Sequence, residues 1–387
     1  MINYGKQFIS DDDIKAVVEV LRSDFLTQGP KITEFESEVA KKVGASEAIA
    51  VNSATSALHI ACLSLGLGEG DVLWTTPNSF VSSSNCALFC GASVDFVDID
   101  PDTFNISTQK LEQKLKQAAL HGKLPKILVP VHIGGHSCDM AKIKDLANEY
   151  GFSVIEDASH AVGGMYKRAY IGSCIYSNIT VFSFHPVKII TTGEGGMALT
   201  NDSKLAKKMR LLRSHGITRD PEDFDLPLTD IGPWYYQQIE LGFNYRISDI
   251  QAALGTSQLK KLDEFVETRN QIAKQYNSGF EKNTLIKLPT ISDGCTSSFH
   301  LYVVQIDFTQ GLSRKAFFEK MKEAGINLSC HYIPIHTQPY YASLGFKVGD
   351  FPFSEAYYKR TVSLPVHPSL TSKKVELIIK MVNDILI

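Results

Sequence analysis

The strongest constraint on this chain lies between residues 48 and 200, where short apolar runs alternate with segments of helical length. The runs at 48–51, 72–75, 94–97, 127–131, 154–155 and 179–184 carry apolar residues at neighbouring positions rather than only at every second one, and 198–200 adds a short last one. Continuous apolarity predicts strands covered on both faces, hence a largely parallel sheet with helices crossing over it. Ligands of such sheets sit beyond the carboxyl ends of the strands. That rule brings residues 52–55, Asp157 and Lys188 to one edge, although they lie far apart in sequence.

The flanking segments are helical. Ser10 followed by Asp11, Asp12 and Asp13 is a helix start, with acids at the positive end of the dipole. Ile14, Val17, Val18 and Leu21 then recur at helical spacing and predict a face packed inward, ending near Asp24. A second amphipathic helix carries Ile32, Phe35, Val39 and Val43 and stops at Gly44. Residues 215–242 form an irregular stretch whose Pro233, Trp234, Tyr235 and Tyr236 need burial, in this subunit or against another. One long helix from about Ser248 to Tyr276, a strand at 301–306, a helix at 314–324 and a last helix after Thr371 complete the pattern. Two units are expected: a large α/β domain over 1–247, and the long helix with a smaller C-terminal α+β domain over 248–387.

Composition excludes several classes of function. The chain of 387 residues has 39 basic and 42 acidic side chains, a formal charge of −3, and no basic cluster interleaved with aromatics, so no nucleic-acid partner is expected. Seven cysteines, an odd number scattered among apolar neighbours, fit reduced thiols of a cytoplasmic protein. The N-terminus lacks the basic start and apolar block of a signal peptide, and no window approaches the roughly 20 apolar residues of a membrane span. His331, His336 and His367 have no acidic or cysteine partner at metal-ligand spacing, so no metal is expected; they would line a cleft or cap turns.

The chemistry gathers on two strands. The run at 179–184 delivers Lys188 into a polar turn closed by Gly193, Gly195 and Gly196, and a lysine held against such a wall loses solvation and gains nucleophilicity. Upstream, the run at 153–157 ends on Asp157, with His160 three positions on. A lysine for an aldehyde and a buried carboxylate for a pyridinium nitrogen are the two protein groups that pyridoxal 5'-phosphate requires. Ser53, Ala54 and Thr55 open a helix after a strand, a geometry that serves an anion site and ordinary N-capping alike.

The stretches EDASHAVG at 156–163 and FSFHPVKIITTGEGGM at 182–197 resemble the DegT/DnrJ/EryC1/StrS family of sugar aminotransferases. Further matches are LTQGP at 26–30, NSATSALHIA at 52–61, TTPNSFVSSSN at 75–85, GFNYRISDIQAALG at 242–255, HYIPIHTQPYY at 331–341 and SLPVHPSL at 363–370. The resemblance implies an aspartate-aminotransferase-like fold (fold type I), with pyridoxal phosphate attached to Lys188 and its ring nitrogen held by Asp157. It further implies His160 at the ring hydroxyl, Ala54, Thr55 and Ser183 at the phosphate, Phe80 stacked on the ring, and Asn244 reaching the phosphate of a neighbouring subunit. The implied assembly is a homodimer with shared active sites. The implied reaction takes an amino group from glutamate to a UDP-linked 4-ketosugar. The segments 215–219 and 232–246 resemble the pseudaminic-acid branch, whose substrate is UDP-2-acetamido-2,6-dideoxy-β-L-arabino-hexos-4-ulose; the bacillosamine and aminoarabinose branches are the alternatives. A regulatory protein on the same fold would carry a DNA-binding appendage, and none is visible.

Overall fold

The computed structural model describes residues 1–226, 232–309 and 311–386. The alternating region forms one sheet of β1 (Glu47–Val51), β2 (Val72–Thr75), β3 (Ser93–Phe96), β4 (Ile127–Val129), β5 (Ser153–Asp157), β6 (Ile179–Ser183) and β7 (Gly196–Thr200). Their order across the sheet is β1-β7-β6-β5-β4-β2-β3. Every pairing from β6 through β5, β4 and β2 to β3 is parallel, whereas β7 runs antiparallel to both β1 and β6. The reversal has a local cause. β6 and β7 are joined by the lysine loop alone, and a connection without a crossover helix returns antiparallel.

Strand alternation explains why these runs are apolar at neighbouring positions. Ile49, Val51 and Val181 join one core cluster with Leu58 and Ala61 of α3 (Ala54–Ser64), while Ala50, Phe182 and Leu199 join another with Phe35 and Val39 of α2 (Pro30–Val43). Both faces are therefore buried, as continuous apolarity predicts.

The first helix, α1 (Asp11–Leu21), departs from its predicted face. Ile14 and Leu21 are exposed, and the residue buried most deeply is Asp13. Its carboxylate accepts from Ser257 Oγ at 2.6 Å and Gln258 Nε2 at 2.8 Å, and pairs with Lys261 Nζ at 2.8 Å. Burial alone would raise the Asp13 pKa, but these bonds hold it below the usual carboxylate range. The predicted long helix is two helices, Asp249–Leu259 and Leu262–Phe280, and the break falls where Lys261 reaches Asp13. The second of these spans two cores. Leu262, Phe265 and Val266 pack under the large sheet, whereas Ile272, Tyr276 and Phe280 pack with a three-stranded sheet of Ile286–Lys287, Tyr302–Ile306 and Thr361–Leu364 and with the C-terminal helix Ser372–Leu386. We propose the division at 247/248 with this helix as the bridge between the two units.

All seven cysteines are free thiols. Within the 215–242 stretch, residues 227–231 lie outside the described residues, while Trp234 and Tyr236 stand 75% and 50% exposed. The burial their apolar rings call for is not supplied within this subunit's described residues.

Candidate active site

A cleft of about 310 Å³ opens beyond the carboxyl ends of β1, β5 and β6. Its walls include Ser53, Ala54, Thr55, Phe80, Asp157, His160, Ser183 and Lys188, so the sheet brings together all but one of the residues named from sequence. The exception is Asn244, which is exposed; its carbonyl faces Asn52 Nδ2 at 3.5 Å and its side chain lies outside its own cleft.

The anion end is set by Gly196. It is the register partner of both Val51 and Ser183, and a Cβ on it would stand 2.4 Å from Ala54 N and Ser53 C. Only glycine lets the start of α3 lie this close to β7. Ser53 caps the helix, its Oγ accepting from Ser56 N at 3.1 Å, and the amides of Ala54 and Thr55 remain at the helix mouth. The capping and anion readings thus hold together, with the Ser183 side chain on the cleft wall beside them.

Asp157 ends β5 and is buried. Its Oδ2 accepts from Ser83 Oγ at 2.6 Å and its Oδ1 from Ser159 N at 3.1 Å, while Ser83 is itself bonded to Ser79 Oγ at 2.6 Å. The neighbouring Glu156 points to the other side of the sheet, as strand alternation requires, and bonds His132, Ser177 and Thr180.

Lys188 lines the same cleft within range of this carboxylate's charge, and its amine has no hydrogen-bond partner among the described residues. Burial pulls its pKa down to about 8, opposed by the charge of Asp157. A lysine so placed supplies free amine near neutral pH, which is what attack on an aldehyde needs. His160 Nδ1 accepts from Gly134 N at 3.2 Å and its Nε2 meets Tyr332 OH at 2.9 Å. Burial, then the charge of Lys188, holds this imidazole neutral. Phe80 is 58% exposed at the rim, its ring 6.3 Å from that of Tyr332.

Ser83, Tyr332 and His300 were not singled out from sequence. The first two lie inside matched motifs, at 75–85 and 331–341, yet no spacing there announces a hydroxyl aimed at Asp157. His300 lies outside every motif quoted. Of the other histidines, His331 lines the cleft and bonds Ser363 Oγ at 2.8 Å, His336 bonds Glu355 at 3.0 Å, and His367 bonds Ser369 at 3.0 Å. Among the described residues no group of histidines, cysteines and acids is placed to hold a metal ion.

A free amine, a buried carboxylate held by two donors and an open helix N-terminus form a donor set that fits pyridoxal phosphate. Residues 7–383 match the DegT/DnrJ/EryC1/StrS aminotransferase family. The chain belongs to that family. Like other DegT/DnrJ/EryC1/StrS aminotransferases, it uses pyridoxal 5'-phosphate. It is 40% identical over 385 residues to the spore coat polysaccharide biosynthesis protein SpsC of Bacillus subtilis, covering 99% of this chain and 96% of that one. It is also 40% identical over 375 residues to the UDP-4-amino-4,6-dideoxy-N-acetyl-beta-L-altrosamine transaminase of Campylobacter jejuni, covering 96% and 94%. The structure of Helicobacter pylori PseC, an aminotransferase of pseudaminic acid biosynthesis, superposes with a TM-score of 0.90 at 32% identity, covering 99% and 98%. The chain is thus a sugar aminotransferase of the aspartate-aminotransferase-like α/β fold.

Proposed function

We propose that this enzyme transfers an amino group from glutamate to C4 of UDP-2-acetamido-2,6-dideoxy-β-L-arabino-hexos-4-ulose, in pseudaminic acid biosynthesis. The observation that carries the chemistry is the Lys188 amine, without a hydrogen-bond partner among the described residues, in one cleft with a buried Asp157 whose two oxygens each accept a hydrogen bond. The likeness to the altrosamine transaminase and to PseC supports the choice of sugar.

Pyridoxal phosphate, when bound, supplies the aldehyde that carries nitrogen and the ring that accepts an electron pair. The residues divide the remaining work. Lys188 holds the cofactor and moves the proton to and from the reacting carbon. Asp157 holds a proton on the ring nitrogen, with Ser83 and Ser159 fixing its two oxygens. Ala54, Thr55 and Ser183 would take the phosphate, Phe80 would shield the ring from water, and His160 would serve the ring hydroxyl. Asn244 serves the site of a partner subunit, which makes the working unit a homodimer. We place it in the cytoplasm; no helix among the described residues is long and apolar enough to cross a membrane.

A second reading has its own support. SpsC, as similar in identity, is named for spore coat polysaccharide, which favours an aminotransferase of another nucleotide 4-ketosugar. Purified protein in its amine-loaded form, offered the L-arabino ketosugar and the D-sugar of the bacillosamine route separately, distinguishes them. Amination of the L-sugar alone supports the proposal. Amination of the D-sugar alone moves the enzyme to another route, and amination of neither sinks the pseudaminic assignment.

A further inference from the structure

One wall of the cleft carries a histidine to which neither the motifs nor the family resemblance gives a role. His300 is 4% exposed, lines the cleft, and its ring centroid lies 4.4 Å from that of His160. His160 has both nitrogens engaged within the chain. His300 differs, because its Nδ1 is sealed from solvent with no hydrogen-bond partner among the described residues. A proton on Nδ1 would be a stranded buried donor, so the neutral ring carries its proton on Nε2. The ring is neutral because burial, and after it the charges of Lys188 and Arg269, oppose protonation. An imidazole on a cleft wall, with its N–H on the nitrogen that is not sealed, is built to meet something that enters the cleft.

Its position is enforced from behind. Arg269, 1% exposed in the helix Leu262–Phe280, donates from Nη1 to the carbonyls of Phe299 at 3.1 Å, His300 at 3.4 Å and Val366 at 2.8 Å. Its Nε and Nη2 have no partner, and no carboxylate pairs with it among the described residues. A buried cation without a counter-ion is costly to keep. What it secures is the peptide on either side of the His300 Cα, tied to Val366 just past the strand Thr361–Leu364.

We propose that His300 is a further binding residue of the cleft, donating its Nε2–H to an oxygen acceptor of a bound molecule, and that Arg269 is the positioning residue that holds it there. The inference rests on the aminotransferase reading of the cleft. Two sources share the required chemistry: the ring oxygen of the cofactor, and a carboxylate, carbonyl or hydroxyl oxygen of a reactant.

His300→Phe keeps the ring and removes the N–H, and Arg269→Lys keeps the charge but, on a shorter side chain, withdraws the donor from the three carbonyls. Each variant is stripped of cofactor, checked for native circular dichroism, and titrated with pyridoxal phosphate. The reconstituted enzyme is then followed by its visible absorbance against pH and by kcat and KM for each reactant. With the cofactor as source, His300→Phe weakens cofactor binding about tenfold and shifts the pH midpoint of the visible band, and Arg269→Lys shifts that midpoint the same way. With a reactant as source, the cofactor titration is unchanged and kcat/KM for one reactant falls about tenfold, with part recovered in His300→Gln. A folded His300→Phe with wild-type cofactor affinity, midpoint and kcat/KM overturns the proposal. Should that variant not fold, nitrogen NMR shifts of His300 in the wild-type protein replace it; ring shifts that stay put on adding cofactor and each reactant overturn it equally. The cofactor titration also reads His300 in a protein that aminates none of the sugars offered, so failure of the assigned reaction and failure of this contact are separable.

Discussion

Ser83 Oγ lies 2.6 Å from Asp157 Oδ2, a hydrogen bond between residues 74 positions apart that no local pattern joins. Hydrogen bonds to a charged group contribute about 1.5–3 kcal/mol. Ser83→Ala should therefore lower kcat by roughly 10- to 100-fold if the bond matters most when charge develops on the ring, with little change in secondary structure. Steady-state rates beside a circular dichroism spectrum check this. Wild-type kcat would remove Ser83 from the site.

Lys188→Ala should leave a folded protein that still binds pyridoxal phosphate noncovalently but transfers amine at least about a thousandfold more slowly. Borohydride treatment separates the two proteins, fixing cofactor to the wild type and not to the variant. Appreciable transfer by the variant would overturn the mechanism.

The same lysine predicts a pH effect on the cofactor-free protein. Its pKa falls from 10.5 to about 8 on folding, because burial disfavours its charge. Below about pH 8 the unfolded chain therefore holds this proton more tightly than the folded one, and stability is diminished; the loss is relieved as pH rises from 8 to 10.5. Lys188→Met should stabilise the cofactor-free protein at pH 7 by on the order of 2 kcal/mol, and the gain should fade across that window. Urea titrations at several pH values measure it. A gain that persists undiminished at high pH would assign it to packing instead.

Gly196→Ala forces a Cβ to within 2.4 Å of the Ser53–Ala54 peptide. Backbone cannot swing aside as a side-chain tip can, so a loss of about 1–3 kcal/mol is expected, with cofactor affinity falling further than stability alone accounts for. Thermal unfolding and cofactor titration, read together, check both parts.

Asn244 lies outside its own cleft, so mixing should restore what single variants lose. Lys188→Ala and Asn244→Ala are each expected to be nearly inactive as homodimers. Unfolded together and reassembled, they should recover about a quarter of wild-type activity, because mixed dimers carry one intact site. No recovery would leave Asn244 without a role in a partner's site.

The strands, the covering of both sheet faces and the meeting of Lys188 with Asp157 were legible because each is written in a local run: apolar stretches for strands, and an acid or a lysine just past their ends. What escaped depends on residues distant in the chain. Asp13 reads as a dipole-complementing surface acid, yet Ser257, Gln258 and Lys261 bury it from more than 240 positions away. The same contact accompanies the break in what reads as a single helix. The orphan nitrogen of His300 could not be seen from sequence either, since a missing partner is a property of three-dimensional surroundings alone.

The place of β1 in the sheet has a consequence for how the enzyme comes into being. It sits at one edge with β7 as its sole strand neighbour, Glu47 opposite Thr200 and Val51 opposite Gly196. Synthesised first, it is the strand that must wait longest. At about 5–20 residues per second on a ribosome, the wait is on the order of ten seconds, during which α3 has only half of its anion-binding mouth. A nascent chain that ends between residues 188 and 196 has made both Asp157 and Lys188 but has nothing to close the phosphate end, so the capacity to hold the cofactor should not arrive before a single glycine-led strand has emerged.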